Sequence, residues 1–257
     1  MLVLLSCAKT MSAVSKVKVP LTTIPRFQKE AAEIALQMSQ FSVDELERLL
    51  RVNAKIAVEN YKRYQAFHAE TTPELPALLA YTGIVFKRLN PKDFSAEDFG
   101  YAQEHLRLTS FCYGLLRPLD VIRAYRLEGG VVLPELGNQT LFSYWRSRLT
   151  DTFIEDIRSA GGILCNLASD EMKSLFDWKR VESEVRVVTP EFHVWKNGKL
   201  ATIVVYTKMS RGEMTRFILK NKIGNPEELK GFSWEGFEFD ESLSDERKLV
   251  FINGMGE

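Results

Sequence analysis

The chain has 257 residues, 45% of them hydrophobic, which is enough for one large core or two modest domains. Its 34 lysines and arginines balance 34 aspartates and glutamates, which argues against attraction of nucleic acid by overall charge, so any site for a polyanion must be a local concentration of positive charge. Three scattered cysteines and three scattered histidines exclude a disulfide framework and a sequence-local metal cluster, and they fit a reducing compartment.

The first element is the apolar run Leu2–Leu5, which predicts a buried strand. Because Ser6 and Cys7 follow it, the same letters resemble a lipoprotein signal. No lysine or arginine precedes Cys7, however, and the run is shorter than the roughly 7–15 apolar residues of a signal peptide. No stretch of about 18 apolar residues occurs elsewhere. We therefore expect a cytoplasmic protein without a membrane span.

Helices are predicted over much of the chain that follows. Apolar residues recur at helical spacing over 27–38 and 53–67, and Ser42 begins a capping box between these two segments. A second cap at Ser95 predicts a helix that runs through Leu106 toward Gly114. The clearest periodicity predicts a long helix over 140–160.

Strands are predicted mainly in the second half. Ile163–Leu167 is a second buried-strand candidate, and Asn197-Gly198 predicts a hairpin whose arms are 186–195 and 199–208. The remaining elements are a helix over 211–223 and strands over 237–240 and 249–252. Without a repeat or a convincing linker, the chain predicts one domain over 1–257, of mixed α/β (α+β) class, with a mixed central sheet surrounded by helices.

Polar residues cluster after both buried strands, where open α/β sheets bind ligands. The clusters are Ser6, Lys9 and Thr10 after the first strand, and Asn166, Ser169, Asp170, Glu171 and Lys173 after the second. An ordinary loop and a capped helix would explain them without any function. Alternatively, the adjacent carboxylates can serve as a general base or as metal ligands.

A third cluster is basic and lies around Gly114. Four arginines and two carboxylates occur between Tyr101 and Arg126, and a helix, a glycine turn and a second basic segment over 95–126 resemble a helix-hairpin-helix. That element binds the nucleic-acid backbone without reading its sequence. In the structural alternative the arginines pair with neighbouring acids, Arg117 with Asp120 and Arg126 with Glu128.

A fourth cluster is the predicted helix near residue 211. Five basic residues and one acid lie between Lys208 and Lys222, whereas Gly224 to Glu246 holds eight carboxylates and one lysine. The zero net charge therefore conceals strong local polarity. A solvated helix face is the alternative to a binding surface here.

Together these motifs resemble the YaaA family of bacterial peroxide-stress proteins, from Met1 to about Phe251. Five family motifs have counterparts here in the family's order. They are S-P-A-K-T, seen as S-C-A-K-T at 6–10, the long L-R-P-L-D and Y-R-L-E motif at 106–128, N-L-A-S-D-E at 166–171, K-x-x-R-G-x-M-x-R-F-I at 208–218, and a late glycine-aromatic motif at 231–239. Each motif is weak alone, but five in order make the resemblance specific.

The resemblance implies a cytoplasmic protein of the peroxide-stress response, associated with limiting damage by free intracellular iron. It also implies non-sequence-specific binding of duplex or branched DNA through a positively charged cleft and a helix-hairpin-helix, on a single-domain fold without metal or cofactor. We expect a monomer. The DNA- and phosphate-binding residues predicted from the motifs are Ser6, Lys9, Thr10, Arg107, Tyr113, Gly114, Arg117, Tyr125, Arg126, Asn166, Ser169, Lys173, Lys208, Arg211 and Arg216.

The chain departs from the family pattern at four positions. Cys7 and Ala124 replace prolines, Phe111 replaces the first hairpin glycine, and Met209 replaces a lysine. Glycine lets backbone approach a phosphate closely, so its loss predicts weaker DNA binding, or binding through the cleft rather than the hairpin.

Other functions stay open at this point. An enzyme acting on a nucleotide or nucleic acid in the same cleft would use Glu128, Asp170 or Glu171 as catalytic candidates, although no recognised nucleophile–base pair supports it. Scattered histidines and cysteines argue against direct iron sequestration. A thiol sensor would require that the basic site lower the pKa of Cys7.

Overall fold

The computed structural model describes residues 1–196 and 198–254. The strands in chain order are β1 (Leu2–Leu5), β2 (Glu74–Pro76), β3 (Leu106–Ser110), β4 (Gly114–Leu116), β5 (Val121–Arg123), β6 (Val132–Leu133), β7 (Gln139–Thr140), β8 (Ile163–Asn166), β9 (Arg186–Lys196), β10 (Lys199–Ala201), β11 (Phe237–Asp240) and β12 (Lys248–Asn253). The helices are α1 (Gln28–Met38), α2 (Val43–Leu50), α3 (Ala54–Ala66), α4 (Ala77–Ala80), α5 (Ile84–Leu89), α6 (Ala96–His105), α7 (Leu141–Ser159), α8 (Asp170–Lys173), α9 (Trp178–Glu184) and α10 (Val204–Asn221). Short 3-10 helices cover Pro91–Asp93, Pro134–Leu136 and Pro226–Gly231.

The main sheet is mixed, in the order β11-β12-β9-β8-β1-β3-β4, with β10 paired to β9. β1 lies between β3 and β8 and runs parallel to both, while β4, β10 and β11 pair antiparallel to their neighbours. Every residue of β1 is fully buried, as a continuous apolar strand in the middle of a covered sheet should be. The predicted fold class is confirmed.

Several predicted elements form for the predicted local reasons. Ser42 and Ser95 both complete capping boxes, with Glu45 and Asp98, at the starts of α2 and α6. The 140–160 periodicity becomes α7, and β9 and β10 form the two arms of the predicted hairpin. The turn residue Asn197 lies outside the described residues.

The predicted helix-hairpin-helix over 95–126 does not form. α6 ends at His105, and the next five residues are strand β3, which pairs with β1 and turns back as β4. The helical spacing of Phe99, Ala102 and Leu106 fits both structures, but all of β3 is buried beside the central strand. Sheet pairing therefore overrides the local helical pattern.

The hairpin arm predicted over 199–208 is also shorter than expected. β10 ends at Ala201, and α10 begins at Val204, seven residues before the predicted helix start. Val204, Val205 and Tyr206 favour strands but form the exposed first turn of α10 instead. Further along the helix, the missing side chain of Gly212 lets α10 lie close against α5, because a Cβ there would be 2.3 Å from the Val85 carbonyl oxygen.

Candidate functional site

The carboxyl ends of the parallel strands β1, β3 and β8 meet at a cavity of about 310 Å³, here called the apolar cavity. Its wall comes from 5–10, 83–86, Phe111, 125–127, Leu167, Ser169, Glu171, Met172, Lys208 and Arg211. An adjoining polar cavity of about 600 Å³ shares Lys9, Arg126 and Glu171 with it and extends to Glu128 and the end of α2. Together the two form the cleft.

The loops after β1 and β8 are tied to each other beside the apolar cavity. The backbone N–H of Ser169 donates to Ser6 Oγ at 2.9 Å, and Ser6 Oγ donates to Ser169 Oγ at 3.3 Å. Thr10 is joined to Thr82 by a backbone and a side-chain hydrogen bond. Ser6, Thr10 and Ser169 therefore shape the wall of the apolar cavity.

One acid and two cations form an ion-pair network where the two cavities join. Lys9 Nζ lies 2.8 Å from Glu128 Oε2, and Arg126 Nη2 lies 3.4 Å from Glu128 Oε1. Tyr64 fixes the Arg126 backbone by donating to its carbonyl oxygen at 2.6 Å. Among the residues that the structure describes, the buried Nε of Arg126 has no hydrogen-bond partner. Arg126 thus has a donor left for a ligand.

Two further cations reach the apolar cavity from the same face of α10. Lys208 and Arg211 make no ion pair within residues 1–196 and 198–254, and Arg211 Nε is buried without a partner. Burial lowers the pKa of the Arg211 guanidinium, which nearby Asp170 partly opposes. An uncompensated, half-buried guanidinium is costly unless an anion satisfies it.

The candidate acids after β8 separate in space. Glu171 lines both cavities and its carboxylate has no hydrogen bond or ion pair in the described part of the chain. Asp170 instead pairs with Lys173 at 2.8 Å, and this hydrogen bond lowers the pKa of Asp170. Asp170 and Lys173 line neither cavity. Of the two acids, Glu171 is the one placed to touch a ligand in the cleft.

Tyr125 contributes an apolar wall, and its hydroxyl is engaged elsewhere. Its oxygen lies 2.7 Å from the Tyr81 hydroxyl and 2.6 Å from Ser110 Oγ. Burial raises the pKa of Tyr125 well above its ordinary value, so the group stays protonated. Tyr113 lines neither part of the cleft; its buried hydroxyl accepts the backbone N–H of Arg123 at 3.0 Å.

Three predicted DNA-contacting arginines are bound inside the fold and line neither cavity. Arg107 Nε donates to Asp156 at 2.6 Å. Arg117 pairs with the buried Asp120 at 2.8 Å, as the structural alternative predicted. The third, Arg216, holds Asp93 and the backbone carbonyls at the end of α5. These cations support structure because each is paired with an acid at a position outside both cavities.

Two other predicted residues are structural as well. Gly114 has a φ of +71°, and a Cβ there would lie 2.7 Å from the Trp145 ring, so its role is close packing in the turn before β4. Asn166 is buried in β8, and its Oδ1 accepts the N–H of Ala168 at 3.2 Å. Its side chain closes the loop that carries Ser169.

Several cleft residues escaped the sequence analysis. Arg48 and Arg51, at the end of α2, line the polar cavity, and α5 supplies Ile84 and Phe86 to the apolar cavity. The sequence predicted a capped helix from Ser42 onward and no clear element over 71–94, and neither stretch carried a signal for a binding wall.

Cys7 lines the apolar cavity, but it is not activated. Burial raises its pKa to about 12, and its backbone N–H donates to Thr109 Oγ1 at 3.2 Å. The thiol is therefore protonated at neutral pH, which contradicts the thiolate that a sensor would need. Across residues 1–196 and 198–254, no three His, Cys, Asp or Glu side chains are grouped to hold a metal ion.

A family model described as "Peroxide stress protein YaaA" matches residues 1–243. The chain belongs to this family. A UPF0246 protein of Bacteroides thetaiotaomicron is 99% identical over 257 residues, 100% of both chains. UPF0246 proteins of Phocaeicola vulgatus and Crocosphaera subtropica are 62% and 38% identical over 251 and 253 residues, covering 98% of this chain and 98% and 100% of theirs.

Membership of the YaaA family associates the chain with the response to oxidative stress. The predicted resemblance is thereby confirmed. In the part of the chain that the structure describes, no helix has both the length and the apolar character needed to cross a membrane.

Proposed function

We propose that this chain is a cytoplasmic peroxide-stress protein that binds duplex or branched DNA through the cleft, without sequence preference, and so limits iron-dependent damage. The observation that carries the proposal is that Arg126 and Arg211 both line the apolar cavity, and that each has a buried Nε without a hydrogen-bond partner among the described residues. A buried donor without a partner costs free energy, and phosphate oxygens are the acceptors that guanidinium groups fit best.

In this proposal, fewer residues contact DNA phosphates than the sequence motifs predicted. Lys208 and Arg211 are free to meet phosphates, and Lys9 and Arg126 become free once their bonds to Glu128 are exchanged. The exposed Arg48 and Arg51 extend the positive wall along the polar cavity. A local cationic site of this kind reconciles phosphate binding with a net charge of zero.

The test is the salt dependence of DNA affinity, measured by fluorescence anisotropy with duplex and branched DNA. Two to four phosphate contacts predict that log affinity falls with log salt at a slope of about −2 to −4. The double variant Lys208→Gln/Arg211→Gln should bind more weakly, with a slope shallower by about 2. Arg216→Gln, on the same helix but bound to Asp93, is the matched control. A flat salt response would overturn the proposal.

A second candidate is an enzyme acting on a nucleotide or nucleic acid in the same cleft. Glu171 favours it, because an unpaired carboxylate beside cations can take a proton from a bound substrate. The test is mass spectrometry of nucleotides and oligonucleotides after incubation with wild type and Glu171→Gln. A product formed only by wild type would support the enzyme, and unchanged substrates would refute it.

A further inference from the structure

We propose that the apolar cavity receives the base of one unpaired nucleotide while cations at its mouth hold the adjoining phosphate. This inference rests on the proposed DNA binding and names the part of the DNA that the cleft selects. The ligand chemistry, a single nucleotide, can come from DNA or from the free nucleotide pool, and the experiment below separates the two.

Size is the first argument. The apolar cavity holds about 310 Å³, at the lower end of the range of roughly 300–1,000 Å³ that is usual for small-molecule pockets. A duplex cannot enter a cavity of that size and can only lie across its mouth. A single nucleotide can enter if it is turned out of the stack, as it is in enzymes that act on extruded bases.

The wall of the cavity suits a base. Phe86, Phe111, Tyr125 and Leu127 contribute apolar side chains to the lining. Phe111 is held edge-on to Phe142, with ring centroids 5.4 Å apart. Apolar and aromatic walls bind bases of any sequence, because every base has a π-face.

Gly129 makes this arrangement of rings possible. A Cβ on Gly129 would lie 2.3 Å from the Phe142 ring and 2.6 Å from the Phe111 ring. Phe111 stands where the resemblance expects a hairpin glycine. In this chain the position therefore supplies wall to the cavity rather than a close approach of backbone to phosphate.

The polar groups of the cavity are the third argument. Simple neutralisation of phosphates has no use for a carboxylate, yet Glu171 lines the cavity without a partner in the described residues. Carboxylates accept hydrogen bonds from base amino groups, as they do from cytosine N4. The cations can bind the phosphate and the Glu171 carboxylate can accept hydrogen bonds from base N–H groups. This combination fits a nucleotide better than it fits a ligand that offers only phosphates.

The experiment compares one DNA duplex with and without a single unpaired nucleotide, labelled there with 2-aminopurine. Wild type should bind the duplex with the unpaired nucleotide about tenfold more tightly, and its fluorescence should change on binding. Ile84→Trp, which fills the cavity from the half-buried start of α5, should bring the affinities for the two duplexes to the same value and abolish the fluorescence change. Ile84→Leu is the matched control, and thermal unfolding checks that both variants fold.

Glu171→Gln should reduce the preference for the unpaired nucleotide, whereas Glu155→Gln, exposed on α7 outside the cleft, should not. Equal affinity for the two duplexes in wild type would overturn this inference and leave DNA binding standing. Binding of neither duplex would overturn the proposed function and the inference with it. Displacement of the duplex by millimolar deoxynucleoside monophosphate in wild type, but not in Ile84→Trp, would identify free nucleotides as ligands of the same cavity.

Discussion

Glu128 restrains two of the cations that the proposed DNA site uses, so its neutralisation should strengthen binding. Its carboxylate oxygens lie 2.8 Å from Lys9 Nζ and 3.4 Å from Arg126 Nη2. Glu128→Gln keeps the size of the side chain and its ability to hydrogen-bond, but removes the negative charge. Lys9 and Arg126 can then bind phosphate without first breaking an ion pair with residue 128.

The size of the effect follows from exposure. The Lys9 side chain is 63% exposed, so its pair with Glu128 is screened and contributes only about 0.2–1 kcal/mol. The Arg126 pair is more buried, with 16% of the Arg126 side chain exposed, but its distance is long for a hydrogen bond. We expect an affinity gain of about five- to tenfold, which corresponds to roughly 1–1.4 kcal/mol. One or two additional phosphate contacts should steepen the salt slope by about 1 to 2.

Fluorescence anisotropy from about 50 to 200 mM salt measures both quantities in one series. Glu155→Gln removes an equal charge from the exposed face of α7 outside the cleft and controls for net charge. If Glu128→Gln bound DNA no more tightly than Glu155→Gln, or with an unchanged slope, the assignment of Lys9 and Arg126 to phosphate would be refuted.

Three further predictions concern the scaffold. Gly212→Ala should lower the free energy of unfolding by about 1–3 kcal/mol and weaken DNA binding, because the added Cβ would clash with the Val85 carbonyl oxygen. Chemical denaturation measures the first effect and fluorescence anisotropy the second. Arg216→Gln should destabilise the fold by about 1–3 kcal/mol with DNA affinity unchanged. The hydrogen bond from Arg216 holds the pKa of Asp93 below its ordinary 3.8, so the pair stabilises the fold above that pH. The difference in the free energy of unfolding between wild type and Arg216→Gln should therefore narrow as the pH falls below 3.8. Cys7 should remain unoxidised in peptide mass spectrometry after brief peroxide treatment, because its thiol is protonated; rapid sulfenic acid formation there would contradict the structure.

The sequence by itself determined the elements whose signals are local. The apolar run after Met1 became the central strand, and Ser42 and Ser95 cap the helices that they were predicted to cap. Ser6 and Ser169, which follow two of the strands predicted from apolar runs, lie beside each other because the carboxyl ends of adjacent parallel strands share one edge of the sheet.

Only the tertiary structure decided which charges are available. Arg107, Arg117 and Arg216 look like Arg211 in the sequence, but each meets an acid supplied by its neighbours in the fold. Two of those acids are distant in sequence, Asp156 for Arg107 and Asp93 for Arg216, so no local pattern could reveal them.

Burial was the other property that local patterns did not supply. The residues from Leu106 to Ser110 form a strand because they lie against β1, although their spacing also fits a helix. Cys7 lies two residues before Lys9 in the sequence, yet desolvation raises the pKa of its thiol, and the carboxylates of Glu171 and Glu128 add to the rise. Charge availability, strand pairing and thiol state all depend on long-range contacts, which exist only once the chain has folded.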